Sequence, residues 1–276
     1  MHPQPITPLR LLAEGLRFPE GPAFAPDGSL WCVELHGGGL VRWSENEVQR
    51  FPTGGSPNGA AVDTEGKIWF CDAEMNAIRR LDPRSGEIET LACEVAGQPL
   101  NKPNDLAFDR AGNLVFTCPG DSRQEPTGYV ACLREDGTVR RISGGLYFPN
   151  GLGFTADGSE LMVAETYQQR LWRGRWDSAR GEWLEPRVWA ADIQGAPGPD
   201  GMAFAADGSL YVAVYGSGEV KIFSPDGSQS SAYAIPGRNP TNCAFDPSRQ
   251  LGLVVTEAEQ GKLWSIPGTG PGVSLF

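Results

Sequence analysis

Six short proline-bearing segments carry the side chains best suited to chemistry. Pro19, Pro57, Pro103, Pro149, Pro199 and Pro240 are each followed by an oxygen-bearing residue: Glu20, Asn58, Asn104, Asn150, Asp200 and Thr241. Asn and Asp recur in tight turns for conformational reasons alone, but Glu is not a favoured turn residue, so Glu20 asks for another explanation. Two carboxylates and several amides gathered on one axis repel one another or stay unsatisfied without a cation among them. Oxygen donors of this kind suit Ca²⁺, Mg²⁺ or Mn²⁺ better than metals that prefer thiolates.

Other chemistries have little to work with. His2 and His36 are the only histidines, too few for a His-rich metal site or a deep Ser-His-Asp triad. The six cysteines (Cys32, Cys71, Cys93, Cys118, Cys132 and Cys243) form no CxxC pair, and several sit inside apolar runs. They read as buried free thiols of a reducing compartment rather than as disulfides. A net charge of −11 argues against general nucleic-acid affinity, which needs clustered Lys and Arg. No apolar stretch reaches the roughly 18 residues of a membrane helix, and the N-terminus has no basic region followed by an apolar one. The expectation is a soluble, cytoplasmic, monomeric protein with no nucleic-acid or membrane partner.

The elements that must position the six segments follow from an internal repeat. FPEGPAFAPDGSLWCVE (18–34), SPNGAAVDTEGKIWFCD (56–72), KPNDLAFDRAGNLVFTC (102–118), FPNGLGFTADGSELMVAE (148–165) and GPDGMAFAADGSLYVAV (198–214) are versions of one unit. NPTNCAFDPSRQLGLVVTE (239–257) is a degraded sixth copy. The prolines lie 38 to 50 residues apart, a period that, with strand-like segments, indicates propeller blades. Gly28, Gly66, Gly112, Gly158 and Gly208 each fall nine residues after their proline, in a hairpin turn that needs positive φ. A third and, in most units, a fourth strand follow. The sixth unit has little room for a fourth, and LRLLAEG at 9–15 reads as the missing strand. The predicted fold is therefore all-β: one six-bladed β-propeller domain over residues 1–276, closed by the N-terminal strand, with the six proline loops at one mouth of its channel. The loop PGDSRQEPT at 119–127 is the longest at that mouth.

EGPAF (20–24), NKPNDLAFD (101–109), FPNGLGF (148–154) and PDGMAF (199–204) occur in order and with matching spacing. Over nearly the whole chain they resemble the gluconolactonase, regucalcin and luciferin-regenerating enzyme family. That resemblance implies a propeller with one divalent cation in its channel that hydrolyses sugar lactones to aldonic acids. Ca²⁺ is the expected ion, with Zn²⁺, Mn²⁺, Mg²⁺ and Fe²⁺ left open. The family's metal ligands correspond to Glu20, Asn150 and Asp200, with Asp200 also the expected general base. Asn104 is implied to lie near metal and substrate. Lys102 stands where regucalcin has arginine, keeping the charge but losing the bidentate fork. Asp121, or Glu125, stands in for an acidic residue of the third blade's loop. The expected substrate contacts are Lys102, Asn104, Asp105 and Asp121. Two other readings fit the scaffold: a non-catalytic propeller that binds calcium or a metabolite, and a metal-dependent phosphotriesterase.

Overall fold

In each repeat the apolar run after the proline forms an inner strand, the glycine-bearing turn reverses the chain, and the second run returns beside it. The computed structural model describes residues 8–44 and 46–273. It contains six four-stranded antiparallel sheets, each with strand order following the chain except the last. Their inner strands are Pro19–Phe24, Pro57–Val62, Leu106–Phe108, Pro149–Phe154, Gly198–Phe204 and Pro240–Phe245. The turn glycines adopt φ between 72° and 86°, as the repeat predicts. Among the described residues the only helical element is the 3-10 turn Thr166–Gln168. Among the described residues no helix is long and apolar enough to cross a membrane.

The last sheet confirms the closure expected from sequence. Strand Arg10–Ala13 pairs antiparallel with Lys262–Ile266 and becomes the outer strand of blade 6. The Trp43 indole donates to the Leu12 carbonyl at 3.0 Å, tying that strand to blade 1. Six apolar clusters hold the ring together, one between each pair of neighbouring blades. Trp31 and Phe70 fill the space between blades 1 and 2, and Leu12, Leu30 and Val254 close blade 6 onto blade 1. Because every sheet buries both faces, its strands are apolar runs rather than clean alternations.

Three details depart from the sequence expectation. The inner strand of blade 3 starts at Leu106, three residues after its proline, because the backbone of Asn104 and Asp105 pairs with Thr117 outside a regular ladder. A small ribbon, Glu94–Val95 with Gln98–Pro99, precedes blade 3. Cys93 beside it is exposed, whereas the other five cysteines are buried, and all six are free.

Candidate functional site

In blades 1, 2, 4, 5 and 6 the pairing of the inner strand shifts register just past the residue that follows the proline, at Glu20/Ala23, Pro57/Ala60, Pro149/Leu152, Pro199/Met202 and Pro240/Asn242. A bulge re-aims side chains and ends regular pairing. Here it leaves Glu20, Asn150 and Asp200 buried toward the channel axis. Asn104 is buried beside them, and no hydrogen bond engages its side-chain amide among the described residues.

The electrostatics of this group are unusual. Burial pushes the Glu20 carboxyl up to about 8, with the charge of Asp105 adding to the effect and hydrogen bonds from Gly21 and Asn242 opposing it. Burial raises Asp105 to about 7 against hydrogen bonds that lower it. Burial, then the charges of Glu20 and Asp105, hold Asp200 well above the usual carboxylate range, while the Asn150 amide draws it down. None of the three pairs with a Lys or Arg among the described residues. Three other buried acids of the same channel mouth do, Glu34 with Arg50, Asp72 with Arg79 and Glu165 with Arg170, while Glu257 accepts from the backbone amides of Asn239, Glu259 and Gln260 instead. Those acids therefore belong to the scaffold, while Glu20, Asp105 and Asp200 form a cluster of carboxyl groups that burial holds toward the neutral form, with no Lys or Arg counter-ion among the described residues.

A divalent cation fits this donor set. Two carboxylates and an amide give hard oxygen ligands, and a cation supplies the missing positive charge. Among the described residues no three His, Cys, Asp or Glu side chains form a metal-ligand cluster by themselves; the ligand set that fits is the mixed one, Glu20 and Asp200 with the side-chain Oδ1 of Asn150. The Asn150 amide nitrogen donates to Thr166 Oγ1 at 3.2 Å, which directs that oxygen away from Thr166.

Three hydroxyl groups, of which the sequence reading singled out only Thr241 and then as a ring oxygen, lock the ring of ligands. Thr117 Oγ1 donates to the backbone carbonyl of Asn150 at 2.9 Å, Thr166 Oγ1 to that of Pro199 at 2.8 Å, and Thr241 Oγ1 to that of Pro19 at 2.8 Å. Each hydroxyl reaches from one blade to the ligand segment of the next. Thr241 is thereby spent on latching and on its contact with Thr256, at 2.8 Å, and Asn58 is only half-buried. The available signal for Thr117 and Thr166 was a Thr at the end of the second strand, in LVFTC and LMVAET; VVTE carries the matching Thr256, which bonds Thr241.

The remaining expected contacts separate. Lys102 and Asp121 stand on the exposed rim and bond each other: Nζ lies 3.0 Å from both Asp121 oxygens. Asp105 does not join them. It is buried on the axis, accepting from Leu106 N at 2.9 Å and from Asn242 Nδ2 at 3.2 Å. The rim also carries aromatic groups that the repeat did not reveal. Phe18 and Phe148 each precede an anchor proline at φ 57°, a costly left-handed conformation for a bulky residue. Phe18 lies 4.8 Å from the His36 ring, Phe148 lies 5.4 Å from Tyr167, and Arg123 covers both Phe148 and Tyr167.

Comparison with known proteins places the chain among known relatives. The chain is 31% identical over 257 residues to a diisopropyl-fluorophosphatase of Loligo vulgaris, covering 87% of this chain and 80% of that protein. It is 27% identical to a gluconolactonase of Zymomonas mobilis, covering 88% of this chain and 77% of that one. The structure of XC5397 from Xanthomonas campestris, described as a gluconolactonase, superposes with a TM-score of 0.83 at 29% identity, covering 94% and 89% of the two chains. Residues 18–259 match the SMP-30/Gluconolactonase/LRE-like region, and the chain belongs to that family.

Proposed function

We propose that this protein is a metal-dependent lactonase that opens sugar lactones to aldonic acids. The observation that carries the reading is the buried cluster of Glu20, Asp105 and Asp200, without a basic partner, beside Asn150 at one channel mouth. Its support from relatives is the gluconolactonase of Zymomonas mobilis and the Xanthomonas structure described above.

In this reading Glu20, Asn150 and Asp200 hold one divalent cation, with Ca²⁺ the first candidate. The cation, when bound, supplies Lewis acidity toward the lactone carbonyl oxygen. Asp200 accepts at its free carboxylate oxygen the proton of the water that attacks the carbonyl carbon. The ring C–O bond then breaks, and the same proton passes to the departing ring oxygen. Asn104, with an unengaged amide, and Lys102 orient the substrate by its oxygens. The aromatic rim of Phe18, Phe148 and Tyr167 gives the sugar ring an apolar wall. The reading asks for no macromolecular partner, and a cytoplasmic monomer satisfies it.

The test is a substrate panel with metal-free and metal-loaded protein. Glucono-1,5-lactone and xylonolactone are compared with δ-valerolactone, each corrected for spontaneous hydrolysis. Diisopropyl fluorophosphate is the control, because a relative at 31% identity is a diisopropyl-fluorophosphatase. The expected result is metal-dependent turnover, with kcat/KM for the hydroxylated rings tens- to thousands-fold above the alkyl ring, since each polar group left unpaired costs about 1–3 kcal/mol. Equal efficiency on the unsubstituted ring, or turnover of the fluorophosphate alone, refutes the sugar-lactone assignment.

A further inference from the structure

The residue just after the second strand of each blade is Leu35, Ala73, Pro119, Thr166, Gly216 and Ala258. Only blade 4, the blade that supplies Asn150, carries a hydroxyl there. Thr166 opens the 3-10 turn Thr166–Gln168 and is 2% exposed. Its backbone is held on both sides: Thr166 N donates to the Phe148 carbonyl at 3.1 Å, and Gln169 N donates to the Thr166 carbonyl at 3.0 Å. The hydroxyl therefore starts from a fixed point between Asn150 and the next blade.

Blade 5 is shaped to meet it. The residues that precede the anchor prolines are Phe18, Ser56, Lys102, Phe148, Gly198 and Asn239, and only blade 5 has glycine. Gly198 adopts φ 144°, which glycine reaches without steric cost, and a Cβ added there would strike the Thr166 carbonyl. The missing side chain lets the Pro199–Asp200 peptide lie against the turn, where Thr166 Oγ1 reaches the Pro199 carbonyl at 2.8 Å.

That contact decides which way Asn150 faces. A hydroxyl has one hydrogen and two lone pairs. The Pro199 carbonyl can only accept, so the hydrogen goes to it. Toward Asn150 the oxygen then offers only a lone pair, and the Nδ2 end of the amide must face it, at 3.2 Å. The Oδ1 end is turned to the opposite side. The torsion that swings an Asn amide is soft and roughly two-fold, so without the hydroxyl nothing at Thr166 distinguishes the two ends. One side chain thus sets the exposed atom of Asn150 and pins the peptide that carries Asp200.

We propose that Thr166 is the positioning residue of the cation site: committed as donor to the Pro199 carbonyl, it accepts from Asn150 Nδ2, selects Oδ1 as the atom presented to the cation and ties it to the Asp200 segment. Partners one step removed from a metal orient its ligands, and their loss typically weakens metal affinity by about 10–100-fold. This inference rests on the placement of the cation at Glu20, Asn150 and Asp200.

The test is calorimetric titration of metal-free parent, T166A, T166V and T166S with Ca²⁺, Mg²⁺, Mn²⁺ and Zn²⁺. T166V keeps the branched shape and loses the hydroxyl, whereas T166S keeps the hydroxyl and loses the methyl. T166A places at this position the residue that blades 2 and 6 already carry, and it decides the matter if melting curves show T166V to be unfolded. The expected result is a Kd for the tightest ion raised about 10–100-fold in T166A and T166V, with T166S within about threefold of the parent. A Kd within about threefold of the parent's in T166A or in folded T166V overturns the proposal. So does a loss in T166S as large as in T166A, which would assign the effect to the methyl group and its packing. A parent that binds none of the four ions refutes the cation site itself, which separates that failure from this one.

Discussion

Lys102 Nζ bonds both carboxylate oxygens of Asp121 at 3.0 Å, although the two side chains are 49% and 78% exposed. Both are expected substrate contacts, and without substrate they bond each other at the rim. An exposed pair of this kind is worth about 0–1 kcal/mol, so a substrate oxygen can displace Asp121 from the lysine at little cost. K102M is expected to lower kcat/KM on an aldonolactone by about tenfold or more, the scale of one charge-assisted hydrogen bond of about 1.5–3 kcal/mol. D121N is expected to change it by less than about threefold. Steady-state kinetics on the two variants checks this, and a larger loss in D121N reverses the assignment.

Asp200→Asn keeps an oxygen for the cation and loses the proton acceptor. At saturating metal, kcat is expected to fall by about 10²–10⁴-fold, the usual contribution of a positioned base. Metal affinity, measured by titration, is expected to fall less. A variant that retains more than about a tenth of parental kcat shows that Asp200 is not the base.

The three axial carboxyls set a pH dependence whose sign can be worked out. Glu20 at about 8, Asp105 at about 7 and Asp200 well above the usual range bind protons in the folded, metal-free protein that the unfolded chain has already released. The stability this provides is complete below the unfolded pKa, near 4, and is lost as pH rises through the folded values. Between pH 5.5 and 8.5 the metal-free melting temperature is therefore expected to fall, with a slope of about 1.4 kcal/mol per pH unit for each group that differs. Saturating cation displaces those protons, so metal affinity is expected to rise over the same interval and the melting temperature of the loaded protein to stop falling. Calorimetry in EDTA and in excess metal measures both curves. A metal-free protein that gains stability across the interval contradicts the cluster's protonation.

Deletion of residues 1–15 removes the outer strand of blade 6 and no site residue. Leu12 is buried between blades 6 and 1, and the Trp43 indole loses its acceptor at the Leu12 carbonyl. Burial of one leucine contributes about 1.5–3 kcal/mol, and the freed ladder edge adds to the loss. A fall in melting temperature of at least about 5 °C is expected. An unchanged transition would mean that the ring is held shut by the remaining strands alone.

The repeat carried the fold because everything it encodes is local. Apolar runs, the glycine nine residues after each proline, and the strand missing from the sixth unit all report on neighbours in sequence. The same regularity marked the six ring positions, since equivalent positions in a propeller reach the same axis, and the family resemblance singled out Glu20, Asn150 and Asp200 among them. Tertiary structure decided what each polar group meets there. Asp105 and Asn242 are 137 residues apart in sequence and bond across the channel, a pairing that depends on ring closure bringing blade 3 opposite blade 6. The sequence showed Asp105 next to Asn104 and so suggested a substrate contact. The structure turns it inward, where Asn242 Nδ2 meets it, because Gly21, Gly59, Gly151 and Gly201 stand at the equivalent positions of blades 1, 2, 4 and 5 and place no side chain there. The division of buried acids is likewise a matter of arrival: Glu34, Asp72 and Glu165 meet arginines, whereas Glu20 and Asp200 meet other carboxylates. A sequence repeat fixes which level of the channel a side chain occupies. Only closure of the ring fixes which charge stands opposite it, and that charge determines whether a buried carboxylate braces the scaffold or waits for a cation.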